Sequence, residues 1–178
     1  MSKGTKKSDK KWVLSMLITL SFLVAIEIVF TRFLSLQQWN IRFSFGFIPV
    51  VIAGIMYGPL AGGLVGAVSD LIGVTLFPTG AFFPGFTLTA FITGFVFGLF
   101  LYKKQTIGRI IVSTLVNQVV CSLLLNTYWI YLLYSKTSYT ALLSTRLIQF
   151  VVMTVVTVVV IHLISKELMP RLKMAMAR

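Results

Sequence analysis

Acidic residues are nearly missing from this chain. Its 178 residues include four of them, Asp9, Glu27, Asp70 and Glu167, beside sixteen lysines and arginines, one histidine and one cysteine. Each shortage excludes a class of chemistry. A single cysteine, Cys121, rules out an internal disulfide and a thiolate metal cluster. It reads as a small core residue of an apolar segment. The lone histidine, His162, has no glutamate at the helical spacing a zinc site needs. No serine has a histidine and an acid reachable from the same side, so triad hydrolysis is excluded as well. The glycine run GPLAGGLVGA is not followed by Lys-Ser or Lys-Thr, which excludes a nucleotide phosphate loop. We therefore expect no catalytic residue, no metal and no cofactor, and no ATP-driven work by this chain alone.

Apolar sequence is what the chain has in abundance. Hydrophobic residues make up 57% and charged residues 11%, with a mean hydropathy of +0.95; soluble domains carry roughly a quarter charged residues. Apolar runs able to cross a bilayer, at ~20 residues each, recur six times, over about 12–33, 43–57, 60–77, 85–102, 107–134 and 139–164. This predicts an all-α integral membrane protein: one six-helix domain over residues 1–178, with basic segments at 1–11 and 165–178. The first run lacks a small-residue cleavage site and is expected to be retained as a span. The second run is short and interrupted by Gly46 and Pro49, and irregular backbone at membrane depth is tolerated only against protein or a cavity.

The net charge of +12 reports topology. No basic face carries interleaved aromatics, so nucleic acid is not an expected partner. Twelve cations, from Lys3 to Lys11, from Lys103 to Arg109 and from Lys166 to Arg178, fall on one side of a six-span chain, whereas Arg32, Arg42, Lys136 and Arg146 fall on the other. Lysine and arginine near span ends stay cytoplasmic, which places both termini in the cytoplasm.

Asp70 sits about halfway across the third run, counting ~1.5 Å per residue from Leu60. A carboxylate at that depth is costly and normally faces a partner or a cavity. Arg42, Arg146, Gln149 and Asn126 lie in the outer half and can line one outward-facing pocket with Asp70, or one of the two arginines can simply bridge to it. Aromatics crowd the outer connections. SLQQWNIRFSFG carries Trp39 and Arg42, and FPTGAFFPGF carries Phe82 and Phe83. They can stack on a flat ligand or form an interfacial belt. Gly58, Gly62, Gly63, Gly66 and Ala67, then Ser69 and Gly73, and Gly94 and Gly98 in the fourth run, repeat at small-xxx-small spacing, which serves close helix packing within the chain or docking of another membrane protein.

The block RFSFGFIPVVIAGIMYGPLAGGLVGAVSDLIGVTLFPTGAFFPGFTLTAFITGFVFGLFLYKK, from Arg42 to Lys104, resembles the folate-specific S component of energy-coupling factor (ECF) transporters. LLNTYW and TRLIQ, farther along, fit the same pattern. The resemblance implies a multi-pass protein of the bacterial plasma membrane that binds folate in its outer half under mobile loops. It implies docking onto a transmembrane coupling protein and two ATPase subunits, with toppling in the bilayer carrying the ligand inward. Family members dock through an Ala-xxx-Ala pattern on the first span; here that span offers Ser15-xxx-Thr19 and Ser21-xxx-Ala25, with Gly62 and Gly66 as further docking candidates. For a folate, Asp70 would accept the adjacent amino and ring N–H groups of the pterin as paired charge-assisted hydrogen bonds. Thr87 lies in the adjoining FPGFTLTAF segment; Trp39, Phe83, Tyr128 and Trp129 supply flat partners. Arg42, Arg146 and Lys136 supply cations for the glutamate tail, with Asn126 and Gln149 nearby. A different flat vitamin such as riboflavin, or a scaffold or receptor without transported ligand, are the alternative readings. Whether Arg32 and Glu27 pair locally or belong to the pocket is open at this point.

Overall fold

The computed structural model describes residues 3–38, 41–78, 82–134 and 139–168. Helix α1 runs from Lys3 to Arg32, and α2 from Phe47 to Tyr57. Helices α3 (Pro59–Leu76) and α4 (Pro84–Leu101) follow. The fifth span consists of α5 (Ile107–Val116), a π-helical segment (Asn117–Leu125) and α6 (Asn126–Tyr134). The sixth is α7 (Tyr139–Leu163), which ends in a π turn, Ile164–Leu168. The expected helical membrane architecture is what forms, and among the described residues five helical stretches are long and apolar enough to cross a bilayer.

The second span departs from expectation. Helix α2 begins at Phe47, with Gly46 before it, and has 11 residues, which cover only ~16 Å of a ~30 Å hydrocarbon layer. Residues ahead of it form an antiparallel hairpin, β1 (Leu36–Gln38) with β2 (Ile41–Phe43), in which Gln37 stands opposite Arg42. Every residue of α2 from Pro49 to Ile55 is buried, so this helix contacts protein on all sides and fills only the inner half of the bundle. The outer half above it is left to loops and side chains.

Glycine spacing sets the contact at the centre. Gly58 adopts φ +93°, a left-handed conformation that ends α2, and Pro59 starts α3 at once. Along α3 the residues at four-residue steps, Gly62, Gly66 and Asp70, form one ridge. It lies antiparallel to Gly94, Ala90 and Thr87 on α4. A methyl carbon on Gly62 would sit 2.6 Å from the Gly94 carbonyl oxygen, and one on Gly66 2.5 Å from that of Ala90. The two backbones therefore touch. Gly54 of α2 joins the same knot, 2.9 Å from the Gly98 Cα by the same measure. Gly62 and Gly66 are buried, which corrects their reading as docking residues: the α3–α4 contact uses the space a partner helix would need.

Candidate ligand-binding site

Where the glycine ridge of α3 reaches the outer half it ends in Asp70, and the close backbone contact gives way to hydrogen bonding. Thr87 Oγ1, in the first turns of α4, donates to Asp70 Oδ2 at 2.7 Å. Arg32, the last residue of α1, places Nη2 3.6 Å from Asp70 Oδ1. Gly73, one turn beyond Asp70, makes room for this arginine, because a methyl carbon there would lie 2.7 Å from Arg32 Nε. The arginine side chain is 6% exposed and the aspartate 24%, so the pair is buried on the cationic side and open on the anionic side. The carboxylate is thus held by a neighbour on each side while part of the side chain stays exposed.

Among the described side chains the arginine beside Asp70 is Arg32, which is neither of the two arginines, Arg42 and Arg146, that the alternative reading of the sequence offers for a bridge. A signal for it existed: Arg32 is one of the few cations on the outer side, against the usual charge bias, and such outliers normally serve a site. Its counterpart Glu27, one and a half turns earlier on α1, is buried and lies beside Gly46.

Aromatic residues gather on the other flank of α4. The Phe83 and Trp129 ring centroids are 5.2 Å apart, as are those of Tyr128 and Trp129, and Phe86 stands edge-on to Phe83 at 6.2 Å. Trp129 Nε1 donates to Thr89 Oγ1 at 3.0 Å, which fixes the indole against α4. The first two turns of α4, with Phe83 just ahead of them, are therefore the hub: Thr87 turns to the carboxylate, and Thr89 and Phe83 to the aromatic cluster.

Arg146 and Gln149, one turn apart on α7, are both buried. Arg146 Nη1 donates to the Ser122 carbonyl at 3.2 Å and to Thr127 Oγ1 at 3.0 Å, holding α7 to the fifth span. Asn126 is half-buried and Tyr128 exposed. Asp70 with Thr87, and Phe83 with Tyr128, are thus brought together directly or through Trp129. Trp39 and Lys136 lie outside the described residues, and of Arg42 only the backbone, in β2, is described. Sequence reasoning missed Thr89 and Thr127, whose roles depend on which face of each helix meets its neighbour.

With this geometry in place the chain can be compared with known proteins. A family profile described as "ECF transporter, substrate-specific component" matches residues 13–165. The chain belongs to this family. Among curated proteins, this S component is 43% identical over 149 residues to the folate transporter FolT of Clostridium novyi, covering 83% of this chain and 86% of the relative. It is 30% identical over 159 residues to the folate transporter FolT of Leuconostoc mesenteroides, covering 83% and 85%. The crystal structure of a FolT bound with folic acid superposes with a TM-score of 0.79 at 34% identity, over 83% of this S component and 90% of that chain. A second solved structure, the S component of a bacterial ECF transporter, gives a TM-score of 0.67 at 28% identity, over 89% and 98%. The Asp70, Thr87 and Trp129 cluster is therefore a feature of an S component in a cell membrane.

Proposed function

We propose that this S component captures folate in the outer half of its bundle and delivers it inward through an energy-coupling module. The observation that carries the reading is Asp70, an ion-paired carboxylate held by Thr87 and Arg32 at mid-bilayer with part of its surface open. A pterin edge offers two parallel N–H donors to such a group, and the Phe83, Tyr128 and Trp129 cluster offers a stacking wall on the same hub. Arg42, Arg146 and Lys136 are the proposed cations for the glutamate tail, with Trp39, Asn126 and Gln149 completing the lining. The chain acts by binding alone, as a carrier and not an enzyme.

Purified protein in detergent is expected to bind folic acid in preference to riboflavin in a direct competition. Mass spectrometry of the co-purified small molecule should find a folate. Displacement by riboflavin would assign another vitamin, and no bound molecule with no affinity for either would return the scaffold reading.

Energy comes from outside this chain, and we propose a transmembrane coupling protein and two ATPase subunits as its partners. The docking surface assigned to them is the exposed stripe of α1, where Ser15, Ser21 and Ala25 are exposed together with Leu14 and Ile18, and Thr19 is half-buried. Small residues there let a second helix approach closely. Toppling of the bundle against that partner would then move the site across the bilayer. Ala25→Trp is expected to leave folic acid affinity within about twofold of the parent and to abolish co-purification of the ATPase subunits; unchanged co-purification would move the docking surface elsewhere.

A further inference from the structure

The fifth span carries an element that the function as proposed does not use. Its nine π-helical residues, Asn117–Leu125, interrupt two α-helical stretches. A π turn closes i→i+5 bonds, is rare, and usually occurs as a single turn at a functional site. Here it is long, and each end is held by a buried polar side chain. At its start Asn117, 5% exposed, donates from Nδ2 to the Thr93 carbonyl on α4 at 3.3 Å, and its Oδ1 accepts from Cys121 Sγ at 3.5 Å. Toward its far end, Arg146 Nη1 donates to the Ser122 carbonyl within the segment and to Thr127 Oγ1 just beyond it.

Register is the consequence. Each π turn holds one residue more than an α turn, so everything beyond the segment is rotated and drawn inward relative to a continuous α-helix. While Arg109 at the inner end donates to the Phe100 carbonyl, Thr89 and Thr93, four apart on one face of α4, both bond the fifth span: Thr93 accepts from Asn117 below and Thr89 from Trp129 above. Those partners are twelve residues apart on the fifth span, ~18 Å if wound as an α-helix, against ~6 Å between the two threonines. The wider π winding has a smaller rise per residue and takes up part of that mismatch, and the side chains of Asn117 and Trp129 bridge the remainder.

We infer that the Asn117–Leu125 segment is a register device of the binding site, and that Asn117 is the positioning residue whose bonds to α4 keep Trp129 aimed at the ligand. This rests on the folate reading for its ligand, but not for its geometry.

Two measurements test it. In a Trp12→Phe, Trp39→Phe background Trp129 is the sole indole, since the chain has three tryptophans. Adding Asn117→Leu is expected to shift its ligand-free emission to longer wavelength; unchanged emission overturns the inference. In the full chain, Asn117→Leu and Trp129→Phe are each expected to weaken folic acid binding about tenfold, and the double variant no more than Trp129→Phe alone. Additive losses would overturn the positioning role and leave Asn117 a packing residue. Asn117→Ser carries both measurements if Asn117→Leu does not reach the membrane. A parent that does not bind folic acid would refute the functional reading, with the emission arm still deciding the register claim.

Discussion

Asp70→Asn is expected to lose folic acid affinity by about 100-fold or more, measured by isothermal titration calorimetry in detergent. The substitution keeps the shape and removes the charge. Two charge-assisted hydrogen bonds to the pterin are each worth ~1.5–3 kcal/mol, and ~1.4 kcal/mol is a factor of ten. The same change strips Arg32 of its Asp70 partner, at a site where the guanidinium is 6% exposed, so the melting temperature should fall as well. Separating the two effects requires a second variant. Arg32→Gln combined with Asp70→Asn replaces the ion pair by two neutral amides and is expected to recover much of the thermal stability without recovering affinity. Recovery of both would make Asp70 a structural bridge and remove it from the ligand.

Gly62→Leu should behave in the opposite way. The position faces the Gly94 carbonyl oxygen and the Gly54 Cα, at 2.6 and 3.1 Å from where a methyl carbon would sit. A branched side chain has nowhere to go except by forcing α3 and α4 apart. Overpacking a tight contact costs ~1–3 kcal/mol and occasionally more; at ~2–4 °C per kcal/mol for a chain of this size, a melting drop of up to ~12 °C is expected, with a broadened size-exclusion profile. Protein that does fold should keep folic acid affinity within a few-fold of the parent, because the knot lies in the inner half and the site in the outer. A stable, monodisperse Gly62→Leu would mean that α3 and α4 do not touch where their glycines meet, and would return Gly62 to the candidate docking residues.

Much of the architecture was readable because the solvent is written into the composition. A chain with so few charged residues has to satisfy its backbone internally, which leaves helices as the default, and the cations at span ends fix which way each helix points. The depth of Asp70 follows from counting, and so does its isolation among apolar neighbours. Phe83, Thr87 and Tyr128 were identifiable as candidates because they stand beside span ends in the outer half, at the level of Asp70 or above it. Hydropathy also flagged the second span as irregular, without revealing that its outer part is a hairpin and its helix starts only at Phe47.

The partner of Asp70 was not readable. In lipid there is no hydrophobic drive to say which face of a helix turns inward, since the surroundings are as apolar as the side chains. Arg32, Arg42 and Arg146 are equivalent in sequence, each an arginine in the outer half. Only the tertiary structure brings Arg32 to Asp70, through the space left at Gly73 and the approach of α1 to α3. The dual meaning of Gly62 and Gly66 is resolved the same way, because a small-residue ridge serves an internal or an external helix equally well until a neighbour occupies it. The π-helical segment is invisible to periodicity, as a run such as VNQVVCSLLLN reads as an uninterrupted apolar span.

By itself, then, the sequence determined the solvent, the helical membrane architecture, the family, and the one carboxylate at mid-membrane. Its shortage of charge made each of those few charges informative. The tertiary structure decided the rotation of every helix about its axis, and with it which arginine meets Asp70, which glycines are used inside, and where Trp129 is aimed. That rotation is set by side-chain contacts between spans, which the pattern of apolar residues along a single span does not encode.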